Sequence, residues 1–81
     1  MSFGEAITAM QSGNKVARSG WNGKGMWLAL AVGGGFARLF DEASVEMSPF
    51  IVMKTAQGNC IPWLASQADV LATDWELVKV W

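Results

Sequence analysis

"KVARSGWNGKGMWLALAV", residues 15–32, decides the fold. Lys15 to Ser19 reads as a short strand and Met26 to Val32 as a second. In the second, Met26, Leu28, Leu30 and Val32 fall on one face and Trp27, Ala29 and Ala31 on the other, because side chains alternate along extended backbone. Both faces are apolar, so both are expected to be covered. Between the strands, Gly20, Gly23 and Gly25 let the chain reverse tightly. A strand, a turn and a strand within eighteen residues set the beginning of an antiparallel sheet.

Working outward toward the N-terminus, Ser2 followed three residues later by Glu5 forms a capping box, in which each side chain satisfies a free backbone N–H at a helix start. Phe3, Ala6, Ile7 and Met10 then recur at helical spacing, and Gly13 can adopt the left-handed conformation that ends the helix. Toward the C-terminus, Gly33, Gly34 and Gly35 permit a hairpin into a strand over Phe36 to Phe40. Asp41 to Ser48 is a polar interruption that reads as a mobile loop. After Pro49, Phe50 to Lys54 is an apolar strand, Gln57, Gly58 and Asn59 form a turn, and Cys60 to Leu64 is extended, with Pro62 marking an edge or strand end. Ser66 with Asp69 starts a second helix, weaker than the first because Asp replaces Glu, with two turns over Ala68 to Ala72. Trp75 to Trp81 alternates as a final strand. The expected class is α+β: one domain over residues 1–81, a small antiparallel sheet packed with an N-terminal helix and a short second helix.

At 81 residues a second core is excluded. The hydrophobic share is 52% and the charged share 16%, the latter well below the roughly 25% of ordinary soluble domains. Five Trp, four Phe and five Met exceed what so small a monomer can hide, so an apolar face meeting another copy is expected, and with it a homo-oligomer. A net charge of −1 argues against general nucleic-acid binding, which needs many phosphate-neutralising cations. Cys60 is the single cysteine and histidine is absent, which leaves neither a disulfide frame nor a zinc site of ordinary ligands. The start lacks a basic leader with an apolar run, and the longest apolar stretch, Met26 to Val32, is too short for a bilayer. A soluble cytoplasmic protein that touches no membrane is the expectation.

Catalytic templates fit poorly. Without histidine there is no Ser/His or Cys/His dyad, and Cys60 beside Ile61 reads as a buried small hydrophobe. Of the carboxylates, Glu5 is a cap, Asp41, Glu42 and Glu46 sit in the polar stretch, and Glu76 lies on the last strand. Asp69 and Asp74, five apart, are a weak pair for acid/base work. A non-enzyme is expected. The glycines of residues 20–25 do not match a phosphate loop, since no Gly-Lys-Ser/Thr follows and the segment enters a strand. They do permit close approach of a ligand, with Trp21 and Trp27 offering flat faces, Asn22 donating and accepting, and Lys24 or Arg18 meeting a phosphate. The alternative is a hairpin whose tryptophans only pack on the core. A second cluster comprises Lys54 at a strand end, Trp63 after a proline, and Ser66, Gln67 and Asp69 at a helix start. There too, capping and core packing alone would account for the residues.

Taken together, "KVARSGWNGKGMWLAL" and "FIVMKTAQGNCIPWLASQADVLATDWELV" closely resemble a family of small phage and prophage proteins, the second Thoeris anti-defence type. The likeness runs from Ser2 to Val78, carried by the paired WNGKGMW and PW-x-x-SQ-x-D motifs, and is weakest over residues 31–48. The resemblance implies a sponge that binds cyclic ADP-ribose-type immune signals and withholds them uncleaved, as a tetramer with pockets between subunits. It also implies separate cyclic-dinucleotide sites in some members. Carried onto this sequence, the pocket residues are Trp21, Asn22 and Gly23 with Trp63, Ser66, Gln67 and Asp69. On physical grounds Trp21 would stack on a base, Asn22, Gln67 and Asp69 would read ribose hydroxyls and base edges, and Lys24, Arg18 or Lys54 would face the pyrophosphate. Met26, Trp27 and Trp75 are left to packing, and no cofactor is expected. A small nucleotide hydrolase and a structural or protein-binding module stand as the competing readings.

Overall fold

Ser2 and Glu5 begin the fold by satisfying each other: the Ser2 amide donates to Glu5 Oε1 at 2.9 Å and the Glu5 amide to Ser2 Oγ at 3.1 Å. The helix they start, α1 (Phe3–Gln11), ends where Gly13 takes a φ of 91° and its amide reaches the Met10 carbonyl. The computed structural model describes residues 1–21, 24–31, 36–37, 45–46 and 48–79; for 36–37 and 45–46 the description is of backbone pairing. The strands are β1 (Val16–Arg18), β2 (Trp27–Ala31), β3 (Phe36–Ala37), β4 (Val45–Glu46), β5 (Phe50–Lys54), β6 (Cys60–Pro62) and β7 (Trp75–Leu77), with a second helix, α2 (Gln67–Leu71), before the last.

Five strands form one antiparallel sheet in the order β6-β5-β2-β1-β7. Val16 pairs with both Leu28 and Leu77, and Leu28 with Met53, so these residues share the face toward α1. There Ala6, Met10, Val16, Leu28 and Trp75 are buried, and Ile7, Leu30, Ile51 and Met53 pack around them. Full burial of Val16 and Leu28 contributes about 1.5–3 kcal/mol each relative to exposure. On the opposite face Trp27, Ala29 and Ala31 are half-buried, and Lys15 Nζ sits 4.3 Å from the centre of the Trp27 ring.

The α+β class, the leading helix, the first two strands and the edge position of the Pro62 strand agree with expectation. Several expectations need correction. Phe36 does not enter a hairpin with β2; β3 pairs with β4 in a separate two-stranded ladder, and β2 is matched residue for residue by β5. Val45 and Glu46 thus form a strand inside the stretch read as a loop, since polar composition reports solvation and not the absence of a backbone partner. The triple glycine and residues 38–44 lie outside the described residues. The last strand stops at Leu77 because its partner β1 begins at Val16; one further bond, from the Val78 amide to the Lys15 carbonyl, ends the pairing. Cys60 is exposed, not buried, because it lies on the edge strand. The second helix runs from Gln67 and carries a complete reciprocal capping box despite Asp in place of Glu.

Candidate functional site

Trp75 is the point at which the two sequence clusters meet. It starts β7, is 2% exposed, and its indole N–H donates to the Asp69 carbonyl at 3.0 Å. Trp21 stands nearly perpendicular to it, with ring centres 5.5 Å apart and planes at 81°, and Trp63 likewise at 6.1 Å and 87°. Phe3 of α1 closes the group at 5.4 Å from Trp75 and 6.1 Å from Trp63. Tilted and perpendicular contacts of this kind add about 0.5–1.5 kcal/mol beyond burial. Trp21 and Trp63 remain half-buried, so each keeps ring surface available.

Beside these rings Arg18 faces two carboxylates. Its Nε donates to Asp74 Oδ1 and its Nη1 to Asp69 Oδ1, both at 2.9 Å. Register explains the meeting: Arg18 pairs with Trp75 across β1 and β7, which brings its side chain beside the residue preceding Trp75 and the helix α2 that precedes both. Asp69 Oδ2 accepts from the Ser66 amide at 3.1 Å and the Ser66 hydroxyl at 2.8 Å, while the Asp69 amide donates back to Ser66 Oγ at 3.1 Å. Asp74 Oδ2 accepts from the Gly20 amide at 2.9 Å. One cation and two carboxylates leave the group with a net charge of −1.

Both acids are held ionised. For Asp69, partial burial pushes the carboxyl up, but the Ser66 amide and hydroxyl and the Arg18 guanidinium together hold it below its ordinary value. The Arg18 hydrogen bond, aided by the Gly20 amide, does the same for Asp74. Asp74 and then Asp69 raise Arg18 in turn. Carboxylates fixed in this state accept hydrogen bonds and are poorly placed to donate a proton near neutrality. Among the described residues, no three His, Cys, Asp or Glu side chains converge as metal ligands, and no helix is long and apolar enough to cross a membrane.

The structure therefore brings together Trp21, Trp63, Ser66, Asp69 and Arg18. Gln67 is exposed on the first turn of α2, adjacent to this group, and Lys24 is exposed on the turn before β2. Lys54 stands at the other side of that turn, its Nζ donating to the Gly25 carbonyl at 3.0 Å. Asn22 and Gly23 lie outside the described residues. Asp74 was missed as a site residue: only the pairing of the last strand with the first puts it beside Arg18 and Gly20. A separate cavity of about 290 Å³, lined by Ile7, Met10, Gln11, Leu30, Pro49 and Ile51, is apolar and includes none of the expected site residues.

The sequence model of the family described as Thoeris anti-defense 2-like domain matches residues 1–78. A curated relative, "Thoeris anti-defense 2" of Bacillus phage SP01, is 44% identical, over 98% of this chain and 96% of its own length.

Proposed function

The chain belongs to the Thoeris anti-defense 2-like domain family, and from that premise we propose that it inhibits Thoeris defence in the bacterial cytoplasm as a sponge for cyclic ADP-ribose-type signals, glycocyclic ADP-ribose foremost. The observation that carries this reading is the convergence of both sequence clusters on Trp75. Trp21 comes from the first, and Trp63, Ser66 and Asp69 from the second, giving ring surface beside ionised acceptors. Flat surfaces suit a base, and carboxylate oxygens suit ribose hydroxyls, which are donors. Phosphate falls to Lys24 and Lys54, with Asn22, Gly23 and Gln67 completing the wall.

Arg18 takes a different part from the one first expected of it. Tied to two carboxylates, it lies in a net negative group, where a pyrophosphate would be repelled more than held. Its role in this reading is to orient Asp69 toward the ligand.

The hydrolase reading is disfavoured by the same pairing, since Asp69 and Asp74 are both committed as ionised acceptors. Assembly is supported by exposed apolar side chains, Leu64 at 91%, Leu71 at 76% and Leu77 at 51%, which suit contact with further copies in a tetramer. Enclosure between subunits also serves affinity. Holding a nanomolar messenger needs about −12 kcal/mol of binding, where the −8 kcal/mol or so of micromolar binding would leave most of it free. Cyclic dinucleotides, which the family resemblance implies as a second ligand class, enter the same test.

The test is retention and release. Purified protein is incubated with glycocyclic ADP-ribose, freed of unbound ligand and heat-denatured. Intact messenger in the supernatant is the expected result; no retained nucleotide, or a cleaved one, refutes the sponge.

A further inference from the structure

The geometry points to Asp74 and Lys54 as positioning residues that pin the two ends of the connection between β1 and β2, at Gly20 and Gly25, Asp74 from just before β7 and Lys54 from the end of β5. Where the consequence is nucleotide affinity, this inference rests on the sponge reading; the pinning itself does not.

At the entry of the turn, Asp74 meets three consecutive residues. Its Oδ1 accepts from Arg18 Nε at 2.9 Å, and its Oδ2 accepts from the Gly20 amide at 2.9 Å and the Ser19 hydroxyl at 3.5 Å. Its own carbonyl accepts from the Ser19 amide at 3.1 Å. At the exit, Lys54 Nζ donates to the Gly25 carbonyl at 3.0 Å. Glycine serves each end differently: a Cβ on Gly20 would lie 3.0 Å from Asp74 Oδ2 and crowd the approach, whereas Gly25 is favoured by its φ of +74°, a Cβ there standing 3.4 Å from Lys54 Nζ.

A turn with glycine at positions 20, 23 and 25 has much backbone freedom to lose. Among the described residues its own backbone supplies one bond, from the Trp21 amide to the Arg18 carbonyl at 3.2 Å. The charged anchors add stronger bonds than neutral ones would. By ordering the turn before a ligand arrives, they hold Trp21 against Trp75 and lower the cost of binding. Lys54 can thus influence affinity through the turn in addition to any contact with phosphate.

The test uses the full chain with two independent readouts. Backbone ¹⁵N relaxation without ligand reports the order of Gly20, Trp21, Lys24 and Gly25, and calorimetry with glycocyclic ADP-ribose reports affinity. Asp74→Asn keeps the shape while replacing one acceptor oxygen with an amide. Gly20→Ala presses on the same carboxylate from the other side while changing no charged group, and Lys54→Met keeps the aliphatic stem without the donor. In each variant, order parameters in the turn should fall from about 0.85 toward 0.6, with β2 unchanged. Affinity should weaken roughly tenfold, as expected for losing one charge-assisted bond. Lys54→Arg, which retains a donor, should restore most of both. Unchanged order in Asp74→Asn and Lys54→Met overturns the pinning. Loosened order with unchanged affinity overturns the positioning role. If the unmodified protein retains no nucleotide, the sponge reading fails while relaxation still decides the pins.

Discussion

Two glycine-bearing turns close hairpins in this sheet by opposite means. The turn between β5 and β6 is sealed by its own residues: the Thr55 amide donates to the Asn59 carbonyl at 2.8 Å, the Gly58 amide to the Thr55 carbonyl at 3.0 Å, and the Thr55 hydroxyl to the Asn59 side chain. The turn between β1 and β2 is fastened from outside, by Asp74 at one end and Lys54 at the other. A self-sealed turn needs only its local sequence. One held by residues far away in sequence takes its shape from the tertiary structure, and a binding surface built on it inherits the rigidity of the sheet.

The largest effect should come from the residue behind the externally held turn. Trp75→Ala removes the ring against which Trp21, Trp63 and Phe3 all pack, at a cost of about 3–5 kcal/mol in urea unfolding. A loss below about 1 kcal/mol would mean that the three aromatics do not depend on a shared support.

The comparison is sharpened by changing a glycine in the self-sealed turn. Gly58 has a φ of 101° with open space around its Cβ position, so Gly58→Ala should lower stability by about 1–2 kcal/mol through backbone strain alone. Nucleotide affinity should not move, the converse of Gly20→Ala. A matching affinity loss in both would show that the two turns are coupled.

The smallest effect is a dependence on pH. Asp69 and Asp74 lie below their ordinary value of 3.8 in the folded protein, and Glu5 lies below its 4.5 through its bonds with Ser2. A depressed carboxyl stabilises the fold above its unfolded value, and that contribution disappears as pH falls through the folded one. The melting temperature should therefore stay level from neutrality to about pH 5 and decline below about pH 4. Order at Gly20 and Trp21 should decline with it, while the Thr55–Asn59 turn, which has no titrating anchor, keeps its own. Equal acid sensitivity of the two turns would remove the distinction.

The legible parts of the chain were those whose hydrogen bonds close within a few residues. Ser2 with Glu5 and Ser66 with Asp69 could be paired by spacing alone, and so could the Gln57–Asn59 turn and the alternation of β2. The partner of β2 was misread because glycines 33–35 permit a hairpin that the described pairing does not use; a matched apolar strand, β5, takes that edge instead. Of the candidate site, Trp21, Trp63 and Asp69 could be named from residue type. That Asp69 shares Arg18 with Asp74 could not, because the contact spans more than fifty residues.

By itself, then, the amino-acid sequence determined the class of fold, the helix starts, the turn chemistry and a likeness to one family, since each depends on side chains near one another along the chain. Only the tertiary structure decided which strand lies beside which. Pairing β7 with β1 put Trp75 under Trp21 and Asp74 against Gly20, because backbone register carries every side chain on the strand with it, however far apart the residues stand in sequence.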